Sequence, residues 1–141
     1  MSGNIDFQSF VQGQAMTSDL QEQVRLATAA LDAFTEAFNA CDLTLVDQAL
    51  HFPHVMLSGS EILVWSEPGQ HPSDFFTRLL ATGWQRTCYE SREAVWVTQD
   101  KVHFVVMYTR RDAQDQVLSR HTNLWVVTCK QGQWAVALRS Y

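Results

Sequence analysis

The last part of this chain repeats every second residue, and no other feature restricts its fold as much. Four long runs of β type lie between residue 86 and the end of the sequence. "RTCYESREAVWVT" and "KVHFVVMYTRR" meet at "QDK", "SRHTNLWVVTC" and "QWAVALRSY" meet at "KQG", and "DAQDQ" joins the middle pair. Short polar links between alternating runs make hairpins, so this part of the sheet is antiparallel. A sheet of this length needs an apolar layer against one face. The stretches 102–108 and 124–127 are apolar on both faces, which calls for a second buried surface, most simply a dimer interface.

The covering layer comes from earlier in the chain. In "SDLQEQVRLATAALDAFTEAFNACD", Leu20, Val24, Ala27, Leu31, Phe34, Phe38 and Cys41 recur at steps of three and four. That spacing is one apolar stripe on a helix of roughly 22 residues. Ser18 and Gln21 make a capping-box start, and Asp42 can cap a second, shorter helix, "LTLVDQAL". "PHVMLSG" and "EILVW" then read as two short strands joined by "SGSE". Pro53 can open the first of these, where a missing N–H is tolerated, and Phe52–Pro53 can be cis or trans. After the loop "SEPGQHPS", Ser73 is the expected cap of a third helix, "DFFTRLLATGW", which Gly83 stops. The expected class is therefore α+β, as one domain over 18–141. Residues 1–17 are expected to be a polar tail or short leading segment.

Composition excludes several function classes. The 141 residues carry a net charge of −5, and Lys and Arg cluster nowhere, so neither nucleic acid nor an anionic membrane is an expected partner. Apolar residues make up 46%, enough for a core with apolar surface left for a pocket. Cys41, Cys88 and Cys129 are odd in number and far apart, as expected of small buried residues in a reducing, bacterial-type cytosol. The first residues have no basic n-region followed by an apolar core, so no secretory signal is expected.

Two stretches, "LDAFTEAFNACDLTLVDQAL" with the strand after it and "TNLWVVTCKQGQWAVALRS", resemble the nuclear transport factor 2-like superfamily. That superfamily includes ketosteroid isomerase-like and SnoaL-like polyketide cyclase-like proteins. The resemblance spans roughly 18–141. It implies a strongly bent, mixed or antiparallel sheet wrapped as a cone around the long helix, with an apolar cavity at the open end. Homodimers through the outer sheet face are implied too. It is specific for fold and weak for function, because one fold hosts many sites.

Ketosteroid isomerases use a carboxylate base with a Tyr and a protonated Asp that stabilise an enolate in a dry pocket. Carried onto this chain, those positions fall on Ser58, Phe34 and Leu124, so the resemblance implies the fold without that chemistry. Alternation from the same placement sends His54, Met56 and Ser58 into the cavity, with Thr122 and Leu124 from a later strand. Ala135, Ala137, Arg139 and Tyr141 follow from the last strand, and Phe34 and Phe38 from the helix. Trp125, opposite Leu124, is then the expected centre of the dimer face, and His121 points away from the cavity.

Two readings stay open. One is a module that binds a small hydrophobic molecule. The other is an acid–base enzyme (isomerase, cyclase or dehydratase) on a small carbonyl or polyketide-like substrate, using His54 with Arg139 and Tyr141. The plainer account of those residues is that His54 donates to a backbone carbonyl while Arg139 pairs with an acid. His51, three residues before His54, points to the other face of a strand and is expected to be a structural residue at a helix end. No HExxH, CxxC, acidic cluster or phosphate loop occurs, so neither metal nor cofactor is expected. "YTRRDAQD" reads as a solvated hairpin with local ion pairs.

Overall fold

A computed structural model describes residues 20–141. The expected Ser18 cap and the segment 1–17 lie outside the described residues. Helix α1 spans Gln21–Asn39, and its stripe buries Ala27, Ala30, Leu31, Phe34 and Ala37. Glu22 sits in its first turn, where the helix dipole favours negative charge. At the other end the Asn39 amide clamps Thr87, donating to its carbonyl at 2.9 Å and accepting from its N–H at 2.8 Å. Cys41 lies past the helix with φ 55° and is exposed, so it is the turn residue and not the end of the stripe. Cys88 and Cys129 are half-buried rather than core residues. Asp42 caps α2 (Leu43–Gln48) as expected, accepting from Leu45 N–H at 3.1 Å.

Two strands follow, β1 (Leu50–Ser58) and β2 (Glu61–Trp65). The Phe52–Pro53 bond within β1 is cis. Helix α3 covers only Phe75–Leu80, with Asp74 and not Ser73 before it, and Gly83 turns the chain at φ +92°. Phe75, Phe76 and Trp84 set edge-on contacts at 5.1–5.9 Å around Phe38, which ties this short helix to α1.

The remaining strands are β3 (Arg86–Val97), β4 (Lys101–Arg111), β5 (Val117–Lys130) and β6 (Gln133–Ser140). The six strands form one curled, unclosed sheet in the order β2-β1-β6-β5-β4-β3. It is mixed, because β1 runs parallel to β6 and every other neighbouring pair is antiparallel. Register shifts interrupt four of these five pairings, and such irregularities let a sheet bend. The bent sheet folds around α1, which lies against β3, β4, β5 and β6. Val102, Phe104, Val106 and Tyr108 of β4 and Trp125 and Val127 of β5 build the core beneath the helix. No helix among the described residues is long and apolar enough to cross a membrane.

Candidate functional site

Where the helices leave the inner sheet face uncovered, a pocket of about 610 Å³ opens. Phe34 and Phe38 from α1, Trp65 from β2, Phe75 and Phe76 from α3 and Trp125 from β5 make its wall largely aromatic. Met56, Ser58, Arg139 and Tyr141 line it as well. Tyr141 is held in place because its N–H donates to the Leu57 carbonyl at 2.8 Å.

Five expected lining residues lie elsewhere, four of them on β5 and β6, and β5 shows why. Its buried residues are Asn123, Trp125 and Val127, while Leu124 is 39% exposed and Thr122 is exposed beside it. The phase is thus opposite to the expected one. Trp125 is an inner residue at 4% exposure, packed edge-on against Phe34 at 5.3 Å, and does not belong to the outer face. His121 shares its face and stacks on Tyr108 at 4.8 Å, again against expectation. The physical cause is a register shift in the β5–β6 pairing. Thr128 pairs with Ala135 and Val127 with Val136, but beyond the shift Val126 pairs with Leu138 and Trp125 with Arg139. An extra residue in β6 reverses its alternation, so Ala135 and Arg139 lie on opposite faces. Ala135 is buried but outside the pocket lining, and Ala137 falls in the irregular step. Neither inner neighbour of Leu124 is an acid, so the second isomerase carboxylate is missing in the corrected phase as well.

His54 is completely buried and sits behind the lining rather than in it. Its Nδ1 lies 3.1 Å from the Val136 carbonyl, an acceptor only, so Nδ1 carries the proton and donates. Its Nε2 then accepts from Arg139 Nε at 3.0 Å. Both ring nitrogens are occupied. Burial, and next the Arg139 charge, pull its pKa from 6.5 down to about 3, so the ring is neutral. The bland expectation for His54 therefore matches, whereas Arg139 meets a histidine where an acid was expected. His51 belongs to β1 and not to a helix end. It is buried and lies 2.8 Å from Thr128 Oγ1 through Nδ1.

Arg139 is the most unusual group here. It is 6% exposed, its Nη2 donates to Met56 Sδ at 3.3 Å, and its guanidinium lies 5.0 Å from the Phe34 ring centre and 5.9 Å from that of Tyr141. Among the described residues it makes no ion pair with a carboxylate. Two more donors on lining side chains, Trp125 Nε1 and Arg110 Nε, are buried with no hydrogen-bond partner among the described residues. Within "YTRRDAQD" the two arginines divide, because Arg110 lines the pocket while Arg111 pairs with Asp115 at 3.4 Å.

One constellation escaped the sequence reading. His71, in the loop before α3, lines the pocket, and its Nδ1 lies 3.1 Å from Asp47 Oδ1 of α2. That is ion-pair distance, but the two atoms are off the direction a hydrogen bond needs. The other oxygen of Asp47 accepts from Gly69 N–H at 2.9 Å, which anchors the loop. Trp65 covers the imidazole at 4.0 Å between ring centres. Burial lowers the His71 pKa and the Asp47 charge opposes that shift. The residues lie in a loop and on a helix with no shared period, so the only sequence signal was a histidine amid turn residues.

No family model and no curated protein matches the sequence. Solved structures do match in shape. A ketosteroid isomerase-like protein from Erwinia carotovora atroseptica aligns with TM-score 0.64 and 20% identity over 85% of this chain and 95% of that one. A protein of unknown function with a cystatin-like fold from Nostoc punctiforme aligns at 0.67 and 14% identity, over 90% and 92%. An NTF-2 like protein of unknown function from Shewanella oneidensis aligns at 0.53 and 10%, over 84% and 97%. The fold is that of the nuclear transport factor 2-like superfamily.

Proposed function

We propose that this protein binds a small hydrophobic molecule in the aromatic pocket and does not carry out ketosteroid isomerase chemistry. The observation that carries the reading is the lining, an aromatic wall around about 610 Å³ with a few polar groups on it. That size and make-up are usual for small-molecule sites. The second half of the proposal is supported by Phe34 and Ser58, and by Asn123 and Trp125 inside β5 where an acid would be needed. Trp65 and Trp125 lie in the wall, so their fluorescence reports occupancy. Titration with naphthalene derivatives of differing charge should give saturable quenching with at least one of them. A flat response to the whole panel would sink the proposal.

The alternative is an acid–base enzyme, and one observation favours it: His71 beside Asp47 in the pocket wall. In that version His71 takes the place of His54, whose nitrogens are both engaged, while Arg139 and Tyr141 meet the substrate oxygen. A homodimer through the outer sheet face belongs to the same proposal. Its support is Val95, Met107 and Leu124, each about two-fifths exposed, in place of Trp125. A cytosolic setting is supported by three free cysteines.

A further inference from the structure

Arg139 presents an electrostatic problem that its neighbours leave unsolved. Removing a guanidinium from water costs several kcal/mol unless a negative charge or good acceptors replace the water. Here the nearest acceptors are a neutral imidazole nitrogen and a thioether. The faces of Phe34 and Tyr141 add cation–π attraction but no charge. Glu61 is the acid among the lining residues; it is exposed and makes no ion pair with Arg139. Asp47 is committed to Gly69 and His71 and does not pair with Arg139 either. The second lining arginine, Arg110, adds positive charge and a buried Nε without a partner among the described residues.

The geometry around the charge is built rather than accidental. His54, fixed by its own bond to the Val136 carbonyl, holds Arg139 Nε. Met56 Sδ takes Nη2, which leaves Nη1 without a hydrogen bond among the described residues. Trp125, the cross-strand partner of Arg139, contributes a buried N–H that is also without a partner among the described residues. Buried donors without acceptors are uncommon in native proteins, and Trp125 Nε1 and Arg110 Nε are two of them on lining residues, so the wall beside Arg139 offers donors and no acceptor for its free Nη1.

We infer that the ligand is a small anion, an aromatic or alicyclic carboxylate, whose head neutralises Arg139 and whose ring lies against the aromatic wall. This deepens the binding proposal above and rests on it. The carboxylate accepts from Arg139 Nη1, and a bond between two charged groups is the stronger kind. His54 touches no ligand and is a positioning residue, because it turns the guanidinium edge toward the pocket. Neutral ketones and alcohols of the same shape fit the wall but leave the charge uncompensated, so the site selects by charge.

Calorimetric titration of the full chain with 2-naphthoate and with its neutral counterpart 2-acetonaphthone tests this. The expected result is at least tenfold tighter binding of the carboxylate, the margin that a charged hydrogen bond supplies. Arg139→Gln should abolish the preference while still binding the ketone. Should that variant fail to fold, Arg139→Lys keeps the charge but loses the planar fork held by His54, and the carboxylate-to-ketone affinity ratio should fall several-fold. If the wild type binds the ketone as tightly as the carboxylate, or if the folded variants keep the full preference, the anion inference is overturned and the binding reading survives. If neither probe binds, the binding reading fails and takes the inference with it.

Discussion

Acid should weaken this protein through His54, and the size of the effect follows from its surroundings. The ring is fully buried, donates to the Val136 carbonyl and accepts from Arg139, so it must be neutral in the native state. Its pKa is lowered from 6.5 to about 3 in the folded protein, by burial first and by Arg139 second. Between those values the unfolded chain binds a proton that the folded one refuses. The stability this histidine provides is therefore fully present above about pH 6.5 and is lost as pH falls toward 3. The loss amounts to about 2 kcal/mol at pH 5 and about 3 kcal/mol at pH 4, both relative to pH 8. His51, His71, His103 and His121 are also lowered by burial and add to the total acid response, so the control must isolate one residue. His54→Gln keeps a donor and an acceptor but does not titrate. Urea unfolding of both proteins from pH 8 to pH 4 gives the difference directly, since the other histidines cancel. The wild type's advantage over the variant should shrink by about 2 kcal/mol on going from pH 8 to pH 5. An advantage that stays constant, or grows toward acid, would refute the neutral, fully engaged imidazole.

Further expectations concern the corrected faces of β5 and the helix cap. Trp125→Ala removes a core ring from between Phe34 and Tyr108 and should cost about 3–5 kcal/mol in chemical denaturation, as core aromatic truncations do. Leu124→Glu, one residue away on the exposed face, should change monomer stability by no more than about 0.5 kcal/mol but shift the mass measured by light scattering from dimer to monomer. A dimer that persists in this variant would count against the outer-face interface. Asp42→Ala removes the acceptor for Leu45 N–H and should cost about 1 kcal/mol, with helical signal lost near α2 in amide exchange.

Much of the architecture was legible because the cues are local. The stripe from Leu20 to Phe38 survives as the buried side of α1, Asp42 caps α2 as its chemistry suggests, and the links after β3 and β5 turn where the polar residues fall. The misplacements on β5 have one common source. Thr122, Leu124, Trp125 and His121 were assigned by counting alternate residues, and that count holds only in unbroken register. A single step in the pairing of β5 with β6 inverts the assignment, and it reflects how two strands bend around a helix rather than any residue's propensity.

By itself, the sequence determined the order of elements, the α+β class and the aromatic stock from which a pocket could be made. Periods of 3.6 and 2 are properties of neighbouring residues and need no partner to be read. Which face of β5 turns inward was settled only in three dimensions, by the bulged register. The partners of Arg139 were settled there too, since His54 stands 85 positions away along the chain, as was the meeting of Asp47 with His71 across a loop of no periodicity. A buried charge acquires meaning from what surrounds it, and that surrounding is assembled from α1, β1, β5 and β6 together.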